Sequence, residues 1–351
     1  MRVEMCHPRG TNFQRVNVRM LRFSAVCIGG LLLLLCGGSS IDRARSAPQV
    51  EACATNPDVL GLSRIVEVDA AGGPLFGRGG HDFLASGEII LTFDDGPLRA
   101  HTRAVLKALA QQCTKATFFM VGRMAVSDPA MVREVAAQGH TIGSHTFSHA
   151  KLSTLPADKA EEEVELGLSA VAGALEGPVA PFFRFPYLRP NATAADYLKG
   201  RDVASFTIDV DSRDFRTRDP DEVQKNVLAQ LAARHKGILL LHDIQPSTAH
   251  ALPALLAELK KRGFKVVHMV PKEPARTLPA YDVQAGRLLA HKLASPKTPL
   301  AARAVTWQQS PGAEYETFPW TEPGSGAQPP STGSTTNEET TVPWYKRWLM
   351  P

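Results

Sequence analysis

Two short stretches of the sequence carry side chains that could act together on a substrate. Asp94 and Asp95 follow the apolar run EIILTF and come directly before a Gly-Pro break. His145 and His149 lie four residues apart in HTFSH, a spacing that lets both imidazoles face one side of a helical turn. One carboxylate added to two imidazoles makes a facial ligand set for a divalent cation, with open coordination positions. The two stretches therefore predict an Asp-His-His metal site.

The second aspartate has a different role available to it. An unligated carboxylate beside a cation can accept a proton from water, because the cation lowers the pKa of that water. Two adjacent carboxylates normally repel each other, and a bound cation offsets that cost. The zinc-protease motif also spaces two histidines by four residues, but a Glu follows its first histidine. Thr146 stands in that position here, which argues against a zinc protease.

Other polar side chains also come directly after strand-like runs. Arg184 follows FF, residues 209–214 follow FTI, and His242 with Asp243 follows ILLL. The carboxyl ends of parallel strands meet at the edge where ligands bind, so we expect these groups at one site. There Arg184 can keep the base ionised, and His242 can donate a proton to a leaving amine. Asp243 is interpreted as a helix cap or a loop hydrogen-bonding residue.

The elements that must position these groups alternate along the chain. Strand-like runs such as EIILTF, ATFFMVG and GILLLHD are separated by segments of helical spacing such as AMVREVAAQ and DEVQKNVLAQLAARH. Asp128 and Pro129 are start signals for one helix, and Gly139 is its stop signal. This alternation predicts an α/β fold with a parallel sheet covered by helices, either an open doubly wound sheet or a barrel.

Five motifs give a more specific expectation. TFDDGP, HTFSH, RFPY, DSRDF and LLLHD, in this order, resemble the motifs of the polysaccharide deacetylase family, which is carbohydrate esterase family four or the nodulation-protein-B homology domain. The resemblance covers about residues 85–270 and implies a distorted (β/α) barrel with fewer than eight strands. It also implies hydrolysis of N-acetyl groups on an N-acetylglucosamine-containing glycan, such as a chitooligosaccharide, peptidoglycan or an exopolysaccharide.

The resemblance assigns a role to each matching residue. Asp94 resembles the catalytic base, and Arg184 resembles the arginine that orients it. His242 resembles the general acid, and Asp214 resembles the carboxylate that tunes the acid. The metal ligands, usually for zinc, and the substrate contacts are implied in the same way: Asp95, His145 and His149 for the metal, the Tyr187 backbone amide for the oxyanion, Phe215 for stacking, and Leu240 for the pocket of the acetyl methyl group.

Two residues depart from the family pattern. Leu188 follows Tyr187 where the family commonly has glycine, and Phe215 stands where it commonly has tryptophan. Because leucine lacks the backbone freedom of glycine, we expect a different loop around the oxyanion donor and an effect on substrate choice. Two other functions stay open: a metal-dependent amidase acting on a non-sugar amide, and a catalytically inactive glycan-binding module.

Length, composition and charge limit the class of protein. The chain has 351 residues, of which 44% are apolar and 21% are charged, and this is enough to bury a large core. Its net charge is +4, from 39 basic and 35 acidic side chains. This charge is too small and too dispersed for a nucleic-acid-binding surface, so we expect no nucleic-acid partner. The sequence gives no indication of the oligomeric state.

We expect the two ends of the chain to lie outside the catalytic domain, which spans residues 85–271. Residues 1–47, with Met20 as an alternative start, have the basic stretch and short apolar run of an export signal. The run is shorter than the roughly 20 residues of a membrane span, which favours a cleaved signal over a retained anchor. Residues 48–84 would pack on the barrel as an extension. Residues 272–351 are rich in Pro, Gly, Ser and Thr and predict a largely disordered tail, whose end WYKRWLM could weakly contact the cell envelope.

Export to the periplasm or the extracellular space bears on the cysteines. Cys6, Cys27 and Cys36 would leave with the signal, and Cys53 and Cys113 would stay in an oxidising compartment. We therefore predict a disulfide between Cys53 and Cys113, with two free buried thiols as the alternative.

Overall fold

The computed structural model describes residues 53, 56–190 and 192–294. Within them, ten strands form one sheet, and every strand pair in it is parallel. The strands are β1 (Arg64–Val68), β2 (Leu75–Phe76), β3 (Glu88–Asp94), β4 (Thr117–Met120), β5 (Thr141–Ser144), β6 (Phe182–Phe183), β7 (Ala204–Phe206), β8 (Val210–Asp211), β9 (Gly237–His242) and β10 (Lys265–Pro271).

Helices separate most of these strands, as the alternating sequence pattern predicted. They are α1 (Arg99–Gln111), α2 (Gly122–Ser127), α3 (Pro129–Ala137), α4 (Ala157–Leu175), α5 (Ala192–Gly200), α6 (Pro220–Arg234), α7 (Pro246–Lys261) and α8 (Pro279–Ala294). Three short 3₁₀ turns are also present, at Leu152–Thr154, Pro186–Leu188 and Asp214–Arg216. Asp128 caps α3 by accepting the Met131 N–H at 3.2 Å, which confirms the predicted helix start. No helix in the described part of the chain combines the length and hydropathy needed to cross a membrane.

The central strand β3 is buried along its whole length. It pairs with β4 on one side and with β9 on the other, where six residue pairs run from Ile89 and Gly237 to Asp94 and His242. Its alternate residues Ile89, Leu91 and Phe93 join the core under the helices. A strand that is covered on both faces needs a continuous apolar run, which explains the sequence EIILTF.

The sheet curls into a barrel. Phe119 on β4 and Phe206 on β7 have ring centroids 5.6 Å apart, although β5 and β6 lie between those strands in the sheet. Inward side chains of β3, β4, β6, β7 and β9 pack together in one hydrophobic cluster. The wall is interrupted, because no pairing joins β7 to β8 among the described residues. The structure therefore has the α/β fold with a parallel sheet and the distorted barrel that the motifs implied.

A two-stranded ribbon covers the amino-terminal end of the barrel. β10 pairs with β3 only at Lys265 and Val266, and then runs alongside β1. On the far side of the barrel, the Thr141 hydroxyl at the start of β5 donates to the Met269 carbonyl at 2.6 Å. Val68 of β1 is buried in the interior cluster with Met269. The segment 48–84, predicted to pack on the barrel, thus supplies β1, β2 and part of the interior.

A disulfide joins this segment to the end of α1. Cys53 and Cys113 form the predicted bond, with their Cα atoms 5.5 Å apart. Beside it, the Gly61 N–H donates to the Gln112 carbonyl at 2.8 Å. The connection between the segment and the barrel is therefore both covalent and hydrogen-bonded.

Helix α8 lies within the segment that was predicted to be a disordered tail. Ala285 is buried against α4, and Leu289 packs on the main core. A Cβ atom at Gly173 of α4 would come 2.8 Å from the Leu289 side chain, so glycine allows the close approach of α8. The prediction of disorder from residue 272 was therefore wrong up to Ala294, because the polar composition further on obscured a helical stretch. Residues 295–351 and the predicted export signal lie outside the described residues.

Candidate active site

Ionisable side chains meet at the carboxyl ends of the strands. β3 ends at Asp94 and β9 ends at His242, and these two residues are register partners in adjacent strands. Asp95 follows β3 with φ of 76°, and His145 follows β5. The four side chains therefore share the edge of the barrel where the sequence predicted a site.

Asp95, His145 and His149 form a cluster that fits a cation. One donor atom of each lies within 4.8 Å of the others. Oδ1 of Asp95 is 3.5 Å from Nε2 of His145 and 3.2 Å from Nε2 of His149. No hydrogen-bond donor among the described residues satisfies this buried oxygen. An unsatisfied buried carboxylate oxygen is costly, and a divalent cation would remove that cost.

The tautomer of His145 supports the same assignment. Its Nδ1 lies 2.7 Å from the Arg184 carbonyl, and because a carbonyl only accepts, Nδ1 must donate. Nε2 then presents its lone pair towards Asp95. Burial lowers the pKa of His145 well below its ordinary value, and the nearby positive charges of His149 and Arg184 lower it further. A neutral imidazole oriented by a backbone carbonyl is the form that ligates metals.

The two ligand histidines lie on a tight turn rather than on the predicted helical turn. Thr146 and His149 have φ of 65° and 61°, and the Thr146 hydroxyl accepts the His149 N–H at 2.9 Å. α4 packs against this turn, where the Glu163 carboxylate accepts the N–H and the hydroxyl of Ser148 at 2.8 and 2.6 Å. At Gly167 a Cβ atom would come 2.6 Å from the Thr146 backbone. The close approach of α4 therefore fixes the turn that brings the imidazoles together.

Asp94 is held by a buried arginine. Nη1 of Arg184 donates to Oδ1 of Asp94 at 2.8 Å and to the Thr92 hydroxyl at 2.7 Å. Its guanidinium also lies 4.3 Å from the centroid of the Phe119 ring. Burial raises the pKa of Asp94 to about 6, although Arg184 opposes this shift. Oδ2 of Asp94, 3.9 Å from Nε2 of His145, is directed at the cluster and is positioned to accept a proton.

His242 pairs with a buried carboxylate. Its Nδ1 donates to Oδ1 of Asp214 at 2.7 Å, and Oδ2 of Asp214 accepts the His242 N–H at 2.7 Å and the Thr248 hydroxyl. Burial alone would lower the pKa of His242, but the charge and hydrogen bond of Asp214, together with Asp95 and Asp94, raise it to about 10. Nε2 of His242 lies 4.0 Å from Oδ2 of Asp95. The imidazolium therefore presents an N–H to the site.

The predicted substrate contacts surround this centre. Tyr187 and Phe215 are each 50% exposed, and their ring centroids lie 4.8 Å from His149 and 5.7 Å from His242 respectively. No acceptor in the described part of the chain takes the Tyr187 N–H. Leu240 is buried on β9 and alternates with Leu239 and Leu241, which face the helices, so it faces the barrel interior. That these three residues contact the substrate stays a prediction.

The departure at Leu188 has a structural outcome. Tyr187 and Leu188 have φ of 61° and 53°, both in the left-handed region that favours glycine. Leucine therefore adopts the backbone conformation for which glycine is better suited, at a cost of about 1 kcal/mol. The turn therefore carries this cost as local strain, and an effect of Leu188 on substrate choice stays a prediction.

Sequence reasoning missed a buried hydrogen bond between the first turn of α1 and the segment that follows β9. Oδ2 of Asp243 accepts the Thr102 hydroxyl at 2.6 Å, and this hydroxyl accepts the Leu98 N–H at 2.9 Å. The carboxylate packs directly on Gly96, where a Cβ atom would lie 2.2 Å from it. The loop after Asp95 is thus tied to the segment after His242. Asp243 was expected to cap a helix or to bond within a loop, but its partner is a helix residue 141 positions away, which leaves no local signal.

Comparisons with known proteins agree with this geometry. Residues 84–204 match the family model described as polysaccharide deacetylase. The chain is 31% identical over 217 residues to a chitooligosaccharide deacetylase of Bradyrhizobium sp., a match that covers 57% of this chain and 97% of that protein. It is 33% identical over 179 residues to a peptidoglycan-N-acetylglucosamine deacetylase of Listeria monocytogenes, covering 51% of this chain and 37% of that protein. The chain thus spans little more than a third of the length of the Listeria relative.

A solved structure is also similar. A peptidoglycan deacetylase of Bdellovibrio bacteriovorus superposes with a TM-score of 0.57 at 35% identity. The match covers 62% of this chain and 61% of that chain. The family match contains the cluster of Asp95, His145 and His149, together with Asp94 and Arg184. Asp214 and His242 follow it in the sequence.

Proposed function

The chain belongs to the polysaccharide deacetylase family, and from this premise we propose that it is a metal-dependent hydrolase that removes N-acetyl groups from an N-acetylglucosamine-containing glycan. One observation carries the proposal: Asp95 lies within 4.0 Å of a ring nitrogen of His145, His149 and His242, with Asp94 beside it. A cation site, a base and an acid therefore converge on one point. Metal-dependent hydrolysis of an amide uses these three functions.

Asp95, His145 and His149 would hold one divalent cation, which we propose is zinc. Two imidazoles and one carboxylate are ligands that zinc accepts, and three protein ligands are the usual number in a catalytic zinc site. When bound there, the cation would polarise the acetyl carbonyl and lower the pKa of water.

Asp94 is the proposed base. Arg184 holds one carboxylate oxygen at 2.8 Å, which leaves the other oxygen free to take a proton from the attacking water. With a pKa of about 6, the carboxylate is ionised at neutral pH and is close to the basicity that suits proton transfer there. A new C–O bond forms at the acetyl carbon as this proton reaches Asp94.

Tyr187 and His242 complete the reaction. The free Tyr187 N–H donates to the acetyl carbonyl oxygen as that oxygen becomes negative. A contact of this kind lowers the activation barrier by about 3 kcal/mol. Nε2 of His242 then gives its proton to the glucosamine nitrogen as the C–N bond breaks. Asp214 keeps this imidazole protonated until that step. Acetate and a free amine leave, with the acetyl methyl group packed on Leu240 and the sugar ring on Phe215.

We propose that the protein acts outside the cytoplasm. The disulfide between Cys53 and Cys113 is of the kind that persists in oxidising compartments. The similar proteins of Listeria and Bradyrhizobium are described as acting on peptidoglycan N-acetylglucosamine and on chitooligosaccharides. Both polymers present the same acetamide group, so both belong in the test.

The experiment measures acetate release from chitopentaose and from peptidoglycan. We expect release by the zinc-loaded enzyme, its loss on chelation and its return when zinc is added back. Asp94→Asn should abolish it. Full activity of the metal-stripped enzyme would contradict the mechanism. Failure to release acetate from any N-acetylglucosamine glycan would contradict the proposal and favour an amidase for another substrate or an inactive binding module.

A further inference from the structure

The loop that follows β8 is rich in arginine. Arg213, Arg216 and Arg218 are exposed, and none of them forms an ion pair within the described residues. On the other side of the site, Arg189 follows the Tyr187 turn and Lys151 follows His149, and they are equally exposed and unpaired. Five unpaired basic side chains thus lie on the rim of the proposed active site, whereas the net charge of the whole chain is only +4.

The position of Arg216 is tied to the acid side of the site. It ends the 3₁₀ turn that begins with Asp214, the partner of His242. Its guanidinium carbon lies 5.4 Å from the centroid of the Phe215 ring, and that ring lies 5.7 Å from the ring of His242. A positive charge is thus stacked on the exposed aromatic ring that lies against the proposed general acid.

The turn itself is well fixed. Arg213 has φ of 55°, its N–H donates to Oδ1 of Asp211 at 2.9 Å, and its carbonyl accepts the Arg216 N–H at 2.9 Å. The Ser247 hydroxyl donates to the Asp214 carbonyl at 3.0 Å. The backbone that carries the two arginines is therefore ordered before a ligand arrives, which reduces the entropic cost of binding.

The acidic groups nearby have other roles. Asp211 bonds the turn, Asp214 is buried against His242, and Asp219 caps α6 through the Asp221 N–H at 2.9 Å. Asp221 and Glu222 lie in the first turn of α6, where negative charge suits the helix dipole. None of these carboxylates forms an ion pair with an arginine of the turn.

We propose that the turn formed by residues 213–216 is a subsite for a carboxylate on the substrate, so that the preferred substrate is an acidic N-acetylated glycan rather than a neutral one. A planar guanidinium pairs with a carboxylate through two parallel hydrogen bonds, which a neutral sugar cannot match. Because Arg216 stacks on Phe215 beside His242, the carboxylate belongs to the sugar that loses its acetyl group or to its neighbour. This inference rests on the proposed deacetylation and specifies its substrate.

The test compares two substrates that differ only in charge. One is an N-acetylglucosamine oligosaccharide whose alternate sugars carry lactyl carboxylates, and the other is the same oligosaccharide with those carboxylates methyl-esterified. Initial rates of acetate release are measured for both with the zinc-loaded enzyme. We expect kcat/KM to be about three- to tenfold higher for the acid form, mainly through KM, and we expect salt to reduce this preference.

Two variants test whether residues 213–216 cause the preference for the acid form. Arg216→Gln should remove most of it, because the rate on the acid form should fall about three- to tenfold more than the rate on the ester form. Arg234→Gln is the matched control, because Arg234 is an exposed arginine at the other end of α6 and should change neither rate. Equal kcat/KM for the two substrates in the wild type, or an equal loss on both with Arg216→Gln, would overturn the subsite while leaving the deacetylase proposal intact.

Binding separates the two proposals. The affinity of the Asp94→Asn protein for both oligosaccharides is measured by calorimetry, and that of the wild-type protein is used instead if no acetate is released. Where no acetate is released from either oligosaccharide, tighter binding of the acid form, lost with Arg216→Gln, supports the subsite on its own. Equal affinity for the two forms, or no binding of either, overturns it.

Discussion

His242 at the carboxyl end of the barrel and two buried histidines at the amino end are in opposite protonation states. At the carboxyl end, His242 lies against Asp214, and its pKa is raised to about 10 because the nearby carboxylates outweigh the effect of burial. At the amino end, burial together with the charge of Lys115 lowers the pKa of His140 to about 3 and that of His268 to about 4. The charge that surrounds a buried imidazole, rather than burial itself, decides whether it can act as an acid.

Residues with a left-handed backbone conformation have different roles at the two ends of the barrel. At the amino end they terminate helices, as Glu176 does for α4 and His235 for α6. At the carboxyl end they shape the loops of the site, as at Asp95, His149 and Tyr187. At the carboxyl end, the strained residues lie where side chains must converge, as expected of a functional site.

The largest expected difference between the two ends concerns the cation. His149→Ala should lower the rate of acetate release at least about a thousandfold, because the cation contributes several kcal/mol to the transition state. The protein should also lose its bound zinc, measured by elemental mass spectrometry. His268→Gln at the amino end is the control and should keep both the metal and the rate. A His149→Ala enzyme with full activity would place the reaction elsewhere.

A second prediction concerns the acid. Asp214→Asn removes the charge that holds the proton on His242, so its pKa should fall and kcat should drop about 10²- to 10⁴-fold. In the wild type, kcat/KM should rise as Asp94 ionises near pH 6 and fall as His242 loses its proton near pH 10. The alkaline limb should move to lower pH in the variant. An unmoved alkaline limb would show that Asp214 does not tune the acid.

The neutral histidines of the amino end predict a pH dependence of stability. In the folded protein, His140 and His268 stay neutral down to pH of about 3 and 4, whereas in the unfolded chain they bind protons near pH 6.5. The unfolded state therefore binds more protons below pH 6.5, and stability falls with acidification. The two should together lower the free energy of unfolding by about 2 to 3 kcal/mol between pH 7 and 5.5.

Urea unfolding at each pH measures this loss. His268→Gln keeps a donor for the Thr141 hydroxyl, which Nε2 bonds at 3.0 Å in the wild type, but it cannot gain a proton. Its stability should therefore depend less steeply on pH over this range. Identical slopes in variant and wild type would contradict the assignment.

The hydrogen bond between Thr102 and Asp243 should contribute less to stability than the neutral histidines do. Thr102→Val leaves the buried Asp243 carboxylate without its hydroxyl donor and should lower the free energy of unfolding by about 1 to 3 kcal/mol. Thr102→Ser keeps the hydroxyl and is the matched control. Urea unfolding measures both variants. An equal loss of unfolding free energy would show that packing of the methyl group, not the hydrogen bond, stabilises this contact.

The smallest effect is expected at Leu188. Glycine accepts φ of 53° without steric cost, so Leu188→Gly should raise the free energy of unfolding by at most about 0.5 kcal/mol after the entropic cost of glycine is included. The melting temperature, compared with that of Leu188→Ala, measures the gain. A lower melting temperature for the glycine variant would mean that packing of the leucine side chain outweighs the strain.

Sequence reasoning found the groups that end strands. Asp94 and His242 could be predicted at one edge because the apolar runs before them fix two parallel strands. The turn that carries His149 could not be predicted, because spacing alone does not distinguish it from a helix. Thr92 and Thr102 were missed because their partners, Arg184 and Asp243, are distant in the sequence. The local sequence pattern predicts where a strand ends. Hydrogen bonds across the barrel join residues that come together only on folding, so no local pattern predicts them.

The ribbon at the amino end has a consequence for the order of folding. Arg64 of β1 pairs with Val267 of β10, so the first strand of the domain can be paired only once the last has been synthesised. Every residue proposed to take part in the reaction precedes that last strand in the chain. A nascent chain would therefore contain the complete catalytic set while the opposite end of its barrel is still open, and contacts of such long sequence separation form slowly.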